Sequence, residues 1–190
     1  FFSFFLVAKS QTAYFTYSTS NGLFCNPATV QFKQTASGSP VGYVWSFGNG
    51  TGSHSPSPAV TYANAGSYVV RLIVIYPRST ATVTKTIVIN PAITATIAYD
   101  RNYICTPGTI NFTAGGTGNI SSYTWDFGDG SGTVTTATKT IAHNFAAFGT
   151  YTVTLLSTDV SGCSASGQTV ISVKAPPITG TVTPTSGCIP

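Results

Sequence analysis

The chain of 190 residues carries one long pattern twice, and this internal repeat constrains its fold more than any other feature. Residues 25–32 read CNPATVQF and residues 105–112 read CTPGTINF. A tryptophan follows each of these cysteines at the same interval, at Trp45 and at Trp125. Because so many positions match at one offset, we interpret the chain as a tandem array of similar domains.

The repeat continues through the rest of each copy. Residues 66–72 (GSYVVRL) match residues 149–155 (GTYTVTL), which lie 83 positions later. Cys188 likewise lies 83 positions after Cys105 and opens a third copy. The sequence therefore predicts a first repeat, a second repeat and the truncated start of a third, over residues 11–90, 91–175 and 176–190.

The composition favours a protein built from strands. Only 6% of the residues are charged, with four Asp and no Glu, whereas 32 Thr and 21 Ser supply most of the polar side chains. With 19 Gly and 11 Pro, this composition indicates short strands joined by turns and excludes a helical bundle, a coiled coil and a charged disordered tail. The basic residues stand singly along the chain, so the net charge of +4 does not predict nucleic-acid binding.

Each copy is predicted to form about seven short strands. Tyr151, Val153 and Leu155 alternate with threonines, which is typical of an antiparallel strand with one face on a core. This spacing, with a buried Trp on the third strand, predicts all-β tandem sandwiches of the immunoglobulin type. In the second repeat the clearest predicted strands are Ile93–Tyr99, Thr109–Ala114, Ser121–Phe127, Thr150–Ser157 and Gly167–Lys174.

The chain opens with an apolar run, Phe1–Ala8, and a small-x-small pattern follows at Ala8-Lys9-Ser10. We interpret residues 1–10 as the end of a secretory signal peptide that is cleaved after Ser10. The alternative is an ordinary buried strand. Since no later apolar stretch approaches the length of a membrane span, we expect an exported, soluble chain.

At the residues of its turns and core, the repeat resembles the PKD domain, an immunoglobulin-like module. The second repeat has the motif WDFGDG at residues 125–130, then His143, then GTYTVTL from Gly149. The resemblance covers the chain from about residue 12 to its end and implies an all-β fold arranged as a linear rod. The signature residues that it implies for the core and turns are Trp45, Gly48, Gly50, Gly66, Tyr68, Trp125, Asp126, Gly128, Asp129, Gly130, Gly149 and Tyr151.

The first repeat departs from this pattern at its polar positions. It has Ser46 and Asn49 where the second repeat has Asp126 and Asp129, and Val60 where the second has His143. A turn with two Asp side chains can bind Ca²⁺, or the side chains can stabilise the turn itself. Since one copy lacks both carboxylates, we favour the turn, and we predict no catalytic residue, cofactor or metal site.

The four cysteines allow three full disulfide pairings in an exported protein. In such a sandwich Cys105 lies at the end where its strand starts, whereas Cys163, between the last two strands, lies at the other end. Strands of ~6 residues separate these ends by roughly 20 Å, but a disulfide requires α-carbons within about 7 Å. We therefore predict an interdomain bridge between Cys25 and Cys163, with Cys105 and Cys188 bonded to later repeats. Free thiols are the alternative.

The resemblance implies a non-catalytic protein that is secreted or held on the outer surface of a bacterium. Adhesins, filaments and stalks of this kind include gliding-motility adhesins and other repeat proteins exported by type IX secretion. The expected partners are neighbouring repeats of the same chain, cell-surface or secretion machinery, and a carbohydrate or surface ligand. The alternative is a set of accessory modules that position a secreted hydrolase on its substrate.

Overall fold

The computed structural model describes residues 11–104 and 107–174, and every regular element in these residues is a β-strand. The predicted signal peptide, Cys105, Cys188 and the start of the third repeat lie outside the described residues. The described part of the chain contains no helix long and apolar enough to cross a membrane.

The chain forms two compact units, which divide between Pro91 and Ala92. In the first unit, β1, β2 and β5 form one antiparallel sheet, and a second sheet has the order β4-β3-β6-β7. The strands of this unit are β1 (Phe15–Ser18), β2 (Ala28–Gln34), β3 (Gly42–Ser46), β4 (Gly52–Ser53), β5 (Ala59–Tyr62), β6 (Gly66–Tyr76) and β7 (Ser79–Ile89).

The second unit repeats this arrangement with one additional short strand. One sheet has the order β13-β10-β8 and the other the order β12-β11-β14-β15-β9, in which β9 runs parallel to β15. The strands are β8 (Thr94–Tyr99), β9 (Tyr103–Ile104), β10 (Gly108–Thr117), β11 (Ile120–Asp126), β12 (Thr133–Thr136), β13 (Thr140–Phe145), β14 (Gly149–Asp159) and β15 (Ser164–Val173).

Each unit has its own aromatic core between its two sheets. Trp45 is 2% exposed and its ring stacks on Phe47, while Trp125 is fully buried and stacks on Phe127. Burying a side chain of this size contributes about 3 kcal/mol through the hydrophobic effect. The other fully buried large side chains of the two cores are Phe15, Phe32, Tyr62, Leu72, Ile87, Ile89, Ile110, Phe112 and Phe145.

The all-β prediction is confirmed, and the alternation predicted for the strand after Gly149 is confirmed as well. Val153 and Leu155 are buried, whereas Thr152 and Thr154 between them are exposed. The predicted strand bounds are less accurate, since β15 begins at Ser164 and not at Gly167. Ser, Ala and Gly occupy the first positions of β15 and have little intrinsic strand preference, so the pairing with β14 decides the structure there.

Hydroxyl groups link neighbouring strands on the outer faces. The Oγ1 atoms of Thr29 and Thr61 lie 2.8 Å apart across β2 and β5, and those of Thr124 and Thr135 lie 2.9 Å apart across β11 and β12. Cross-strand pairs of this kind contribute roughly 0.2–1 kcal/mol each. The threonine content of the sequence therefore stabilises the sheets as well as supplying a polar surface.

Candidate functional site

The hairpin turn of the second unit is fixed by its two aspartates. Asp126 accepts a hydrogen bond from the Gly128 N–H through Oδ1 at 2.9 Å. Asp129 accepts two through Oδ1, from the Ser131 N–H at 3.1 Å and from the Ser131 hydroxyl at 2.6 Å. Each carboxylate thus stabilises the turn in which it lies.

The first unit builds the same turn without any charge. Asn49 Oδ1 accepts hydrogen bonds from the Thr51 N–H at 3.1 Å and from the Thr51 hydroxyl at 2.7 Å. An amide oxygen and a carboxylate oxygen can each accept these two hydrogen bonds, so the first repeat keeps the turn with Asn49 where the second has Asp129. The stabilising role that the sequence favours for these side chains is the one seen in both turns.

Asp129 has a second partner that no short motif reveals. Its Oδ2 atom lies 2.7 Å from His143 Nε2, and both side chains are largely buried. The His143 ring stacks on Phe127 at 3.7 Å between centroids and meets the edge of Phe145. Because an ionised carboxylate can only accept a hydrogen bond, His143 Nε2 carries the hydrogen and donates the hydrogen bond to Asp129.

These contacts control the ionisation of Asp129. Burial alone would raise its pKa, but the hydrogen bonds from Ser131 and His143 outweigh burial and lower the pKa to about 2. The folded value lies below the ordinary value of 3.8, so the ionised form stabilises the second unit at pH values above about 4. This stabilisation is lost as the pH falls from about 4 to about 2.

We expect Asp129→Asn to destabilise the second unit by about 1 to 2 kcal/mol at pH 7 and by much less at pH 2. Asn49 shows that the turn itself tolerates Asn, so the loss reports the negative charge of Asp129 in its contacts with Ser131 and His143. The indole N–H signals of Trp45 and Trp125 in an NMR spectrum follow urea unfolding of the two units separately. A loss of equal size at both pH values contradicts this account of Asp129.

In the described residues, no group of three or more His, Cys, Asp or Glu side chains is placed to hold a metal ion. Asp126 and Asp129 each use a carboxylate oxygen within the turn. Sequence reasoning considered these two residues as a pair and missed the contact that Asp129 makes with His143. The sequence does carry a signal for this contact, because Asp129 and His143 are both replaced in the first repeat, by Asn49 and Val60.

A tyrosine fixes the corner before the long strand of each unit. The Tyr68 hydroxyl donates to the Asn64 carbonyl at 2.8 Å, and the Tyr151 hydroxyl donates to the Ala147 carbonyl at 2.9 Å. Gly66 and Gly149 lie just before these tyrosines and begin β6 and β14. The signature positions at the corners therefore stabilise the chain reversal that leads into each core strand.

Tyr62, beside the corner of the first unit, is fully buried and donates a hydrogen bond to the Phe47 carbonyl at 3.0 Å. Burial raises the pKa of Tyr62 to about 12, and the neighbouring Tyr68 makes a smaller contribution in the same direction. This phenol thus remains a neutral donor over the whole physiological range and fastens the corner to the loop after β3.

Cys25 lies at the end of the first unit from which the chain leaves. It forms an isolated parallel bridge with Asn90, and the Asn26 N–H donates to the Asn90 carbonyl at 2.9 Å. Asn90 follows β7 directly, and the second unit begins shortly after it at Ala92. Cys25 is disulfide-bonded.

Cys163 lies at the end of the second unit at which the chain enters. The first residue of β8, Thr94, pairs with Thr117, and the Val160 N–H donates to the carbonyl of nearby Asn119 at 3.2 Å. Asp159 Oδ1 accepts a hydrogen bond from the Cys163 N–H at 2.9 Å and so fixes the loop that carries the cysteine. Cys163 is also disulfide-bonded and is 1% exposed.

The short strand β9 pairs with the last two residues of β15. Tyr103 pairs with Ser172 and Ile104 with Val173, and the Lys174 N–H donates to the Ile104 carbonyl at 2.9 Å. Ile104 is thus placed at the opposite end of β15 from Ser164, roughly 30 Å away at the rise of an extended strand.

Comparisons with known proteins agree with this fold. Two family models of the PKD domain match, one over residues 14–89 and the other over residues 90–174. The chain belongs to the PKD-domain family. The PKD1 domain of the Vibrio cholerae metalloprotease PrtV is 30% identical over 43% of this chain and 98% of that one, with a TM-score of 0.37. The PKD1 domain of Vibrio anguillarum Epp is 29% identical over 43% of this chain and 95% of that one, with a TM-score of 0.38.

The two units are therefore tandem PKD repeats, and the prediction of this family from the residues of turn and core is confirmed. PKD domains are immunoglobulin-like modules without a catalytic centre of their own.

Proposed function

We propose that this chain is part of a non-catalytic protein of the bacterial cell exterior, an adhesin, filament or stalk whose disulfide-linked PKD repeats form a stiff rod. The observation that carries the proposal is the placement of the two disulfide-bonded cysteines. Cys25 is at the exit end of the first repeat and Cys163 is at the entry end of the second. The first unit ends at Pro91 and the second begins at Ala92, so the chain joins these two ends directly.

The placement favours a bond from Cys25 to Cys163 over a bond within the second repeat. Ile104, which precedes Cys105, is about 30 Å from the start of β15, whereas bonded cysteines have α-carbons within about 7 Å. The first repeat turns from β6 to β7 through Pro77 and Arg78 and has no cysteine there. The first repeat therefore has no cysteine at the position equivalent to Cys163.

A bond across each junction would restrict bending and twisting between neighbouring modules, which otherwise move freely. Pro91 restricts the linker further. Disulfides form and persist outside the cytoplasm, which supports a secreted or surface location. We propose neighbouring repeats as the first partners, followed by cell-surface or type IX secretion machinery, as in gliding adhesins, and a carbohydrate or surface ligand.

Peptide mapping of the unreduced protein tests the pairing. We expect one peptide pair that joins Cys25 to Cys163 and disappears on reduction. A peptide pair that joins Cys105 to Cys163 contradicts the interdomain bridge, and so does a Cys163 that reacts with an alkylating reagent before reduction.

A second function has one observation in its favour. The similar PKD1 domain of PrtV belongs to a metalloprotease, so we propose as the alternative that these repeats position a secreted hydrolase on its substrate. The full-length gene product distinguishes the two functions. Further PKD repeats after residue 190 support the rod, whereas a catalytic domain supports the accessory role.

A further inference from the structure

The second PKD repeat contains a pocket that the rod does not require. It has a volume of about 180 Å³ and lies where the end of β10 and the following loop meet β11. Its lining is mostly polar and rich in glycine, and Lys139 is the one charged residue among those that line it: Ala114, Gly115, Gly116, Gly118, Asn119, Ile120, Tyr123 and Lys139.

The first repeat has a longer side chain, that of Gln34, at the position equivalent to Ala114. Gln34 pairs with Phe15 as Ala114 pairs with Ile97, so Gln34 and Ala114 are equivalent residues on the inner face of β2 and β10. The Gln34 carboxamide is partly buried, and its Oε1 atom accepts a hydrogen bond from the Ala36 N–H at 2.8 Å. The first repeat thus supplies its own amide group at this place.

The second repeat cannot repeat this contact. Ala114 is 4% exposed and ends at a methyl group, so the N–H of Gly116, the counterpart of Ala36, has no side-chain acceptor among the described residues. Gly116 and Gly118 both have positive φ, at 125° and 108°. A Cβ atom on Gly116 would overlap the Thr94 carbonyl oxygen, and one on Gly118 would overlap Ile93 Cγ2, so both positions require glycine and neither places a side chain in the pocket.

We propose that this pocket binds the acetamido group of an N-acetylated amino sugar. The acetamido carbonyl takes the place of Gln34 Oε1 and accepts from the Gly116 N–H, while its methyl group packs against Ala114. Asn119 and Lys139 provide an amide and an ammonium group for the sugar hydroxyls. The pocket is larger than a carboxamide, which favours an amide carried on a sugar ring over a glutamine side chain of a peptide.

The proposal goes beyond the rod and does not depend on the pairing of the cysteines. Its test is a titration of the ¹⁵N-labelled chain with N-acetylglucosamine, followed by NMR. We expect the Gly116 amide signal to shift to saturation with a Kd on the order of 1 mM. Glucose has the same ring without the acetamido group, and we expect it to leave Gly116 unmoved.

Ala114→Gln gives the second repeat the side chain of the first, and we expect it to weaken binding at least tenfold. Thr113→Gln is the matched control, because Thr113 is exposed on the opposite face of β10. An unchanged Trp125 indole signal shows that each variant is folded. The proposal is overturned by a Gly116 signal that does not respond, by an equal response to glucose or to a capped glutamine, or by undiminished binding in folded Ala114→Gln.

Discussion

A single molecule of this chain, pulled from its two ends until both repeats unfold, should lengthen by roughly 450–500 Å less when it is oxidised than when it is reduced. The reason is the proposed bond between Cys25 and Cys163, which closes a loop around residues 26–162. Force then passes from β1 through the disulfide to β15, and the residues inside the loop carry no tension even when they unfold.

The measurement needs force spectroscopy with handles at both ends, in a Cys105→Ser/Cys188→Ser background that removes every other crosslink. A Cys25→Ser/Cys163→Ser variant in that background is the control, and we expect it to reach the full length without reductant. An oxidised chain that extends as far as the reduced one contradicts the interdomain bridge. The outcome is large because it depends on covalent connectivity and not on the stability of either repeat.

The same connectivity has a consequence for a longer array. Only the short segment 164–187 lies between Cys163 and Cys188. If Cys188 is bonded to a later repeat, as we predict, then the covalent path under load uses this segment and bypasses most of each domain. An array of this kind resists extension through its bonds, so domains with very few charged residues need no network of ion pairs to serve as a mechanical element.

The sequence was sufficient to predict the fold because its strongest signals are local and occur twice. Trp45 and Trp125 each follow their cysteine by the same interval and are both buried on the strand that was predicted to hold them. The alternation around Val153 likewise depends only on the period of an extended strand. Such features do not depend on how the loops are arranged.

The contacts that the sequence did not predict depend on groups brought together across the sandwich. Trp45 donates through Nε1 to the Ser55 carbonyl at 2.8 Å, whereas the same atom of Trp125 is buried and has no hydrogen-bond partner within residues 11–104 and 107–174. The two loops that follow these strands differ in length and composition, so the equivalence of the two tryptophans does not extend to their hydrogen bonds. The pocket at Ala114 is a second case, since its lining comes from β10, the loop after it, β11 and Lys139, which are brought together only in the folded repeat.

Two glycines of the same turn, which the motif treats alike, should respond very differently to alanine. Gly128 and Gly130 both have positive φ, at 70° and 82°. A methyl group on Gly130 meets no described residue within 4 Å, whereas one on Gly128 overlaps the carbonyl oxygen of Thr152 on β14. We expect Gly130→Ala to cost about 1–2 kcal/mol, the cost of left-handed backbone for a residue with a Cβ atom.

For Gly128→Ala the overlap adds to the backbone cost, because main-chain atoms of β14 cannot move aside as a flexible side chain can. The expected loss is about 3–5 kcal/mol, a large share of the stability of a domain of this size. Urea unfolding followed at the Trp125 indole signal measures both losses, and the Trp45 signal shows whether the first repeat is affected. Equal losses for the two variants would mean that β14 shifts to admit the methyl group, and that the turn is not held against this strand. A clearly larger loss for Gly128→Ala identifies the close approach of the turn to β14 as the feature that requires glycine in the motif.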